Sequence, residues 1–460
     1  MNSFTPQAKF SGVMKNLFTS RVEILWKELT EKILSACEDD EEMILNLHAE
    51  ESDFIRFNGC KVRQNTRIAQ IELSLELRQG SRVVIHTWTL SGNSKPDLDL
   101  ISSALPSLRE ELKQVGEDPF VTPIENHGRS HMDFPFEQVP FDKITSLLEK
   151  NLGQLDLAGI FCQGPVVKAN ANSKGQNHWF STGHFFIDYS LFDGPRAVKG
   201  LYSEATFNDE KVDEHLFDSQ RKLELLRRSR KRVSPGSYRV YLAPSAVSQI
   251  LAVSGWGGLS EASYRRGQSG FQKAARGEVS LSPLFSLKEN LSLGLVPRFN
   301  YFGEVRQEEL PLFEKGVFKQ FLVSTATAKE FGISSNFADR SEHPRSLEVL
   351  PGDLLESEIL SGLGDGLYLS NLHYLNWSDL NSGRITGMSR YACFWVEKSE
   401  IVSPIEDLRF DDSVLNIFGR NLERITRHQE VLPETGSYRS RSLGGVKVPG
   451  LLLKGFDVKF

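Results

Sequence analysis

The sequence predicts an α+β chain of two domains: an N-terminal layered domain of helices and strands, then a C-terminal domain built on a large antiparallel, barrel-like sheet with few helices. Three observations predict this. Helical and strand periodicities alternate through the first half. From Ser234 onward, short strand-like runs are separated by Gly, Asn, Asp and Pro, with few long helical patterns. At 460 residues the chain is also longer than one hydrophobic core usually serves.

Residues 1–20 mix Asn, Ser, Thr, Pro and Lys and read as a flexible arm. Val22, Leu25, Trp26, Leu29, Ile33 and Cys37 then recur at helical spacing. From Gln70 to Leu77 apolar and polar residues alternate strictly, the signature of a strand with one buried face. Gln79-Gly80-Ser81 turns the chain into a second strand, Arg82 to Leu90. A helix is expected over about Asp97–Val115, with Pro106 in conflict inside it unless the helix starts late enough to put that proline in its first turn. The Pro-, Asp- and His-rich stretch Gly116–Pro140 reads as a linker. A short helix near Asp142–Leu152 precedes an aromatic strand region, Gly159–Phe207, and a basic helix over Arg221–Arg232. Ser234-Pro235-Gly236-Ser237 marks the main boundary. The expected domains are 21–233, with subdomains 21–116 and 141–233, and 234–460.

Composition narrows the function classes. Hydrophobic residues make up 39% and charged residues 25%, a soluble globular balance. No run approaches the ~20 apolar residues of a membrane helix, and no signal core opens the chain. The four cysteines, Cys37, Cys60, Cys162 and Cys393, lie far apart and read as free thiols in a reducing cytoplasm. A formal net charge of −6 argues against a nucleic-acid partner, and the run Arg227, Arg228, Arg230, Lys231 and Arg232 reads as a solvated helix face. His127 and His131 read as loop histidines. His178 and His184 read as sheet-face packing, with a strand break plausible at Gly183. Asp39-Asp40 and Asp411-Asp412 read as surface or turn acids. No phosphate loop and no nucleophile elbow occurs.

Four segments in order carry a resemblance. They are Asp53–Leu90 ("DFIRFNGCKVRQNTRIAQIELSLELRQGSRVVIHTWTL"), Ser234–Leu251 ("SPGSYRVYLAPSAVSQIL"), Glu314–Gly332 ("EKGVFKQFLVSTATAKEFG") and Gly364–Leu408. Together they resemble the TldD/PmbA family, over about Glu51 to the end. The resemblance implies a two-domain α+β fold and a TldD–TldE heterodimer acting as a metallopeptidase on unfolded peptides.

The family's catalytic subunit carries H-E-x-x-x-H on the first helix of the C-terminal domain. Two His bind zinc, and the Glu is the general base for zinc-bound water. Five residues apart on a straight helix, the two His would point about 140° from each other, so the helix must bend or end at the site. The family's following R-K-G-x-S-x-F pattern is matched by Arg265–Phe271. Counting back from Ser269, the motif positions fall on Ala252, Val253 and Gly257. The resemblance places a third ligand, a Cys, in the stretch Glu434–Gly450, which contains none. All ligand positions therefore lack metal-binding side chains, and no metal or other cofactor is expected.

The resemblance thus implies a non-catalytic, TldE-like subunit paired with a TldD-type subunit or with itself, holding a peptide substrate in the cytoplasm. Tyr264, Arg265, Arg266 and Ser269 are its peptide-binding candidates because they follow the motif helix. Trp256 is expected to fill the vacated metal space or to pack in the core. Two alternatives stand beside this reading: a stand-alone hydrolase with an unrecognised site, and a homo-oligomeric peptide-binding scaffold.

Overall fold

A computed structural model describes residues 16–152 and 155–459. Most of the expected arm, residues 1–15, lies outside the described residues. Helix α1 spans Leu17–Leu34, so it takes in the end of that arm. It starts at Asn16, whose side chain accepts from the Phe18 N–H at 2.8 Å and so satisfies one of the free donors at the helix N-terminus.

Next come β1 (Glu41–Asn58), β2 (Lys61–Gln79), β3 (Arg82–Leu90) and α2 (Ser94–Leu112). The hairpin at Gly80 (φ +60°) forms where the sequence places it. Helix α2 starts earlier than expected, which leaves Pro106 inside it. The proline faces solvent, away from the packed stripe of Ile101, Leu105, Leu108 and Leu112. The expected linker is irregular except for a short strand, β4 (Arg129–Asp133), which adds in parallel to the aromatic region. Then come α3 (Phe141–Leu152), β5 (Asp156–Asn172), β6 (Asn177–Asp193), β7 (Arg196–Glu204) and α4 (Asp209–Leu225).

These strands form one seven-stranded sheet in the order β3-β2-β1-β5-β6-β4, with β7 also on β6. Period-two alternation divides its faces. Met43, Leu45, Leu47, Leu73, Leu75 and Leu77 bury against Trp26, Leu29, Ile101 and Leu105 of α1 and α2. Helices α3 and α4 cover another part through Leu147, Leu148, Leu216 and Leu223, which pack with Phe161 and Phe185. The opposite face carries His48, Glu50, Glu72, Lys168, Asn170 and His178 in the middle of the sheet, and it meets the C-terminal half of the chain. There Asn170 Nδ2 donates to the Tyr301 carbonyl at 2.8 Å, and Thr182 Oγ1 to the Gly294 carbonyl at 2.9 Å.

Helix α4 stops at Leu225, so the basic run is not the helix face that its spacing suggested. Three of its side chains make tertiary contacts. Arg227 pairs with Asp193 at 2.7 Å, Arg228 donates to the Ile401 carbonyl at 2.6 Å, and the Lys231 ammonium sits 3.7 Å from the centroid of the Trp395 ring.

The C-terminal half begins with β8 (Gly236–Leu242) and the helices α5 (Pro244–Gly255), α6 (Glu261–Arg265) and α7 (Gln272–Ala275). Strands β9 (Leu287–Asn290), β10 (Glu309–Glu314) and β11 (Val317–Phe318) follow, then α8 (Thr325–Phe331) and β12 (Ser346–Val349). Helix α9 (Ile359–Leu363) leads to β13 (Gly366–Leu369), β14 (Asn371–Asp379), β15 (Arg384–Arg390), β16 (Phe394–Glu397) and β17 (Glu400–Pro404). The chain ends with β18 (Arg409–Ser413), β19 (Leu422–Pro433) and the long β20 (Gly445–Lys459). They make an open 13-stranded sheet, antiparallel except for β12·β20 and β8·β13. The central strand β20 carries Leu451, Leu453 and Phe456 into a core with Val247, Ile250, Phe271, Phe285 and Phe418. Among the described residues no helix is long and apolar enough to cross a membrane.

Candidate functional site

Helix α5 begins with Pro244 in its first turn, where a missing N–H costs nothing. Its two faces differ. Ala246, Val247, Ile250, Leu251 and Val253 are buried in the core. Ser245, Ser248, Gln249, Ala252 and Trp256 recur at helical spacing and line a cavity of about 800 Å³. Gln249 is fixed there by accepting from the Leu372 N–H at 2.5 Å.

The facing wall comes from far away in sequence. Asp188 and Lys199, an ion pair on β6 and β7, and Leu201 belong to the N-terminal sheet. His343 and Arg345 lie ahead of β12, and Glu434, Ser442 and Leu443 lie on the strap between β19 and β20. The His343 ring nitrogen Nδ1 is 3.2 Å from the Gly255 carbonyl, and a Cβ on Gly255 would come within 3.0 Å of that ring. Glycine is therefore the residue that lets the histidine reach the helix end. The cavity thus gathers Ala252 and the strap, the two stretches that the family resemblance had placed at a metal.

The helix ends at Gly255, before Gly257, whose φ of +79° turns the chain away. Of the three motif positions only Ala252 reaches the cavity, Val253 is buried in the core, and Gly257 has no side chain. This donor set does not fit a zinc ion, and among the described residues no three His, Cys, Asp or Glu side chains gather in a metal-binding arrangement.

The structure corrects Trp256. The residue is 55% exposed, so it neither fills a vacated space nor packs in the core. Trp377 takes the inner position. Its indole N–H donates to the Trp256 carbonyl at 3.3 Å, and a Cβ on Gly270 would overlap its ring. Replacing Trp256→Ala should therefore change stability by no more than about 0.5 kcal/mol in a denaturant titration, as for most exposed sites.

None of the peptide-binding candidates lines the cavity. Ser269 is fully buried, and its hydroxyl donates to the Gly258 carbonyl at 2.6 Å while accepting from the Phe271 N–H at 3.1 Å. It clasps the turn after α5. Tyr264 stacks on Phe321 at 4.9 Å, Arg265 pairs with Glu261 at 2.7 Å, and Arg266 points to solvent. They follow the motif helix in sequence, but the turn at Gly257 carries them to another side. The cavity's own residues were missed because Asp188, His343 and Glu434 share no local pattern with α5.

The other sequence candidates resolve as follows. His131 sits on β4 with Nε2 2.9 Å from Asp133, and the His127 ring meets Phe337 edge-on at 5.5 Å. Strand β6 runs unbroken through Gly183, whose missing side chain admits the Phe136 ring. His178 Nδ1 lies 2.8 Å from the Ser130 hydroxyl, and burial holds its ring neutral, with the pKa lowered to about 4. Burial, helped by Arg441, lowers His184 to about 3. Asp412 is no surface acid. It is fully buried and accepts from the backbone N–H groups of Ser413 (2.6 Å) and Asp457 (3.1 Å). Cys162 and Cys393 are buried free thiols, and Cys37 and Cys60 are half-buried.

Helix-backed sheet, open C-terminal sheet and a cleft between them define the class: a two-sheet α+β protein with a polar cavity at the junction. Residues 235–459 match the family model described as the PmbA/TldA metallopeptidase C-terminal domain, so this part of the chain belongs to the TldD/PmbA family. Solved structures share the fold along nearly the whole chain. Thermococcus kodakarensis TldE superposes with a TM-score of 0.73 at 12% identity, covering 95% of this chain and 100% of that one. A Thermotoga maritima protein described as a proposed modulator of a DNA gyrase gives 0.70 at 16% identity, covering 96% and 100%. A Bacteroides thetaiotaomicron protein of similar description gives 0.70 at 15%, covering 95% and 98%. No curated protein matches by sequence.

Proposed function

We propose that this chain is a metal-free, TldE-like subunit that pairs with a zinc-bearing TldD-type subunit in the cytoplasm and holds an extended, unfolded peptide in the cleft between its sheets. The observation that carries the reading is the wall of the first cavity. Where a catalytic family member would present two histidines and a glutamate, this helix presents Ala252 to the cavity, buries Val253 and turns away at Gly257. The fold shared with Thermococcus kodakarensis TldE supports the subunit class. The cavity retains groups that suit a peptide backbone: the Ser245 and Ser248 hydroxyls, the Gln249 amide and the guanidinium of Arg345. Among the described residues its serines form no hydrogen bond with a histidine or a carboxylate, which favours a role in binding and orientation.

The test is reconstitution. The chain, a TldD-type subunit from the same genome and their mixture are compared by light scattering and by hydrolysis of an unfolded peptide. The reading predicts a mixed particle with the mass of both subunits and cleavage only where the metal-bearing subunit is present. Cleavage by the pure chain, or two subunits that never associate, would overturn it.

A further inference from the structure

On the far side of the strap lies a second cavity, of about 580 Å³. It shares only Arg345, Ser442 and Leu443 with the first. Its floor is the helix-free face of the N-terminal sheet. Glu72 on β2, His48 on β1 and Lys168 on β5 are directly paired across the two ladders, so their side chains stand in one row on that face. All three line the cavity.

These three side chains are unusual in having nothing to bind. His48 is only 8% exposed, yet neither ring nitrogen has a hydrogen-bond partner. A buried polar group left unpaired costs about 1–3 kcal/mol, so such a group asks for a ligand or water. Lys168 and Glu72 are half-buried, and among the described residues neither forms an ion pair or a side-chain hydrogen bond. Neighbouring charges are already spoken for. Glu50 accepts from Ser52 (2.7 Å) and Gln70 (2.6 Å), Arg441 donates to the Gly164 carbonyl at 2.8 Å, and Asp339 pairs with Arg345 at 3.0 Å. What remains is one cation and one anion, with a histidine between them that burial keeps neutral, its pKa lowered to about 3. A neutral imidazole offers one donor and one acceptor.

The spacing sets the ligand's length. Neighbouring strands lie about 4.8 Å apart, which puts the Glu72 and Lys168 backbones about 10 Å from each other. A peptide of two or three residues, at about 3.3–3.6 Å per extended residue, spans about 7–11 Å between its charged ends.

We propose that this second cavity binds a di- or tripeptide with both termini free, Lys168 taking the carboxylate, Glu72 the ammonium, and His48 a polar group between them. The assignment rests on these side chains alone and stands apart from the pairing of this chain with a metal-bearing subunit.

Calorimetric titration of the full chain with trialanine, its N-acetyl form and its C-terminal amide tests this. Trialanine should bind saturably, and each blocked form at least tenfold more weakly. Lys168→Met should bind trialanine no better than the wild type binds the amide, and should no longer separate the two. Lys168→Arg should keep the discrimination, and Glu72→Gln should lose it for the acetylated end only. Thermal melts matching wild type establish that the variants are folded. Absence of saturable trialanine binding, or blocked peptides binding as tightly as the free one, would overturn the proposal.

Discussion

Acidification from pH 6.5 to 5 should destabilise this protein by several kcal/mol through its buried histidines. Four histidines are held neutral in the folded chain, with burial the largest cause in each: His48 and His184 near 3, His178 and His215 near 4. The sign follows from linkage. In the unfolded chain these rings take up a proton near pH 6.5, whereas the folded chain excludes it, so their stabilisation is full above pH 6.5 and is lost as pH falls towards the folded values. At 1.36 kcal/mol per pH unit, two of the four would cost about 4 kcal/mol between pH 6.5 and 5. Three of them, His48, His178 and His184, lie on the face where the two halves meet, so the loosening should begin there. Urea titrations at pH 7.5, 6.5 and 5.5 measure it. A midpoint independent of pH over this range would show that these rings are not buried as described.

The second large effect is expected from Arg306→Met. Arg306 and Glu289 form an ion pair at 2.5 Å with side chains 2% and 0% exposed. Removing the cation leaves a carboxylate without its partner in the core, at a cost of about 3–5 kcal/mol. The consequence reaches the cavities. The other Glu289 oxygen accepts from the Arg345 N–H at 2.6 Å, and Arg345 lines both cavities. Chemical denaturation should show the loss of stability. Replacing both partners, Arg306→Met with Glu289→Leu, should recover much of it, because the charge that needed a partner is then gone. If the double variant were as unstable as the single, the loss would come from packing and not from charge.

How far the sequence discloses this molecule depends on whether the determinant is local. The period-two run Gln70–Leu77 and the turn at Gly80 specify a hairpin by themselves, and the structure forms it, with β3 over Arg82–Leu90 as expected and β2 running longer, from Lys61 to Gln79. The helical stripe of α1 is equally plain, although its start at Asn16 is set by a cap inside a polar stretch. The basic run misled because Arg and Lys at helical spacing look the same whether a helix continues or the side chains turn to Asp193, Ile401 and Trp395. The cavities were illegible for a related reason. Their walls join residues hundreds of positions apart, as in the contact between Arg441 and Gly164, and single-sequence patterns contain no trace of such pairings. The row Glu72–His48–Lys168 needed the strand register, which only the structure supplies. The motif positions Ala252, Val253 and Gly257 were locatable by counting from Ser269, but which of them faces the cavity was not.

The central proposal is that this chain is a metal-free relative of the TldD/PmbA metallopeptidases. Its most direct test is the zinc content of the purified protein after exposure to equimolar zinc and exhaustive buffer exchange. The account predicts far less than one ion per chain, because Ala252, Val253 and Gly257 supply no ligand and no other cluster among the described residues replaces them. One tightly held zinc ion per chain would contradict it.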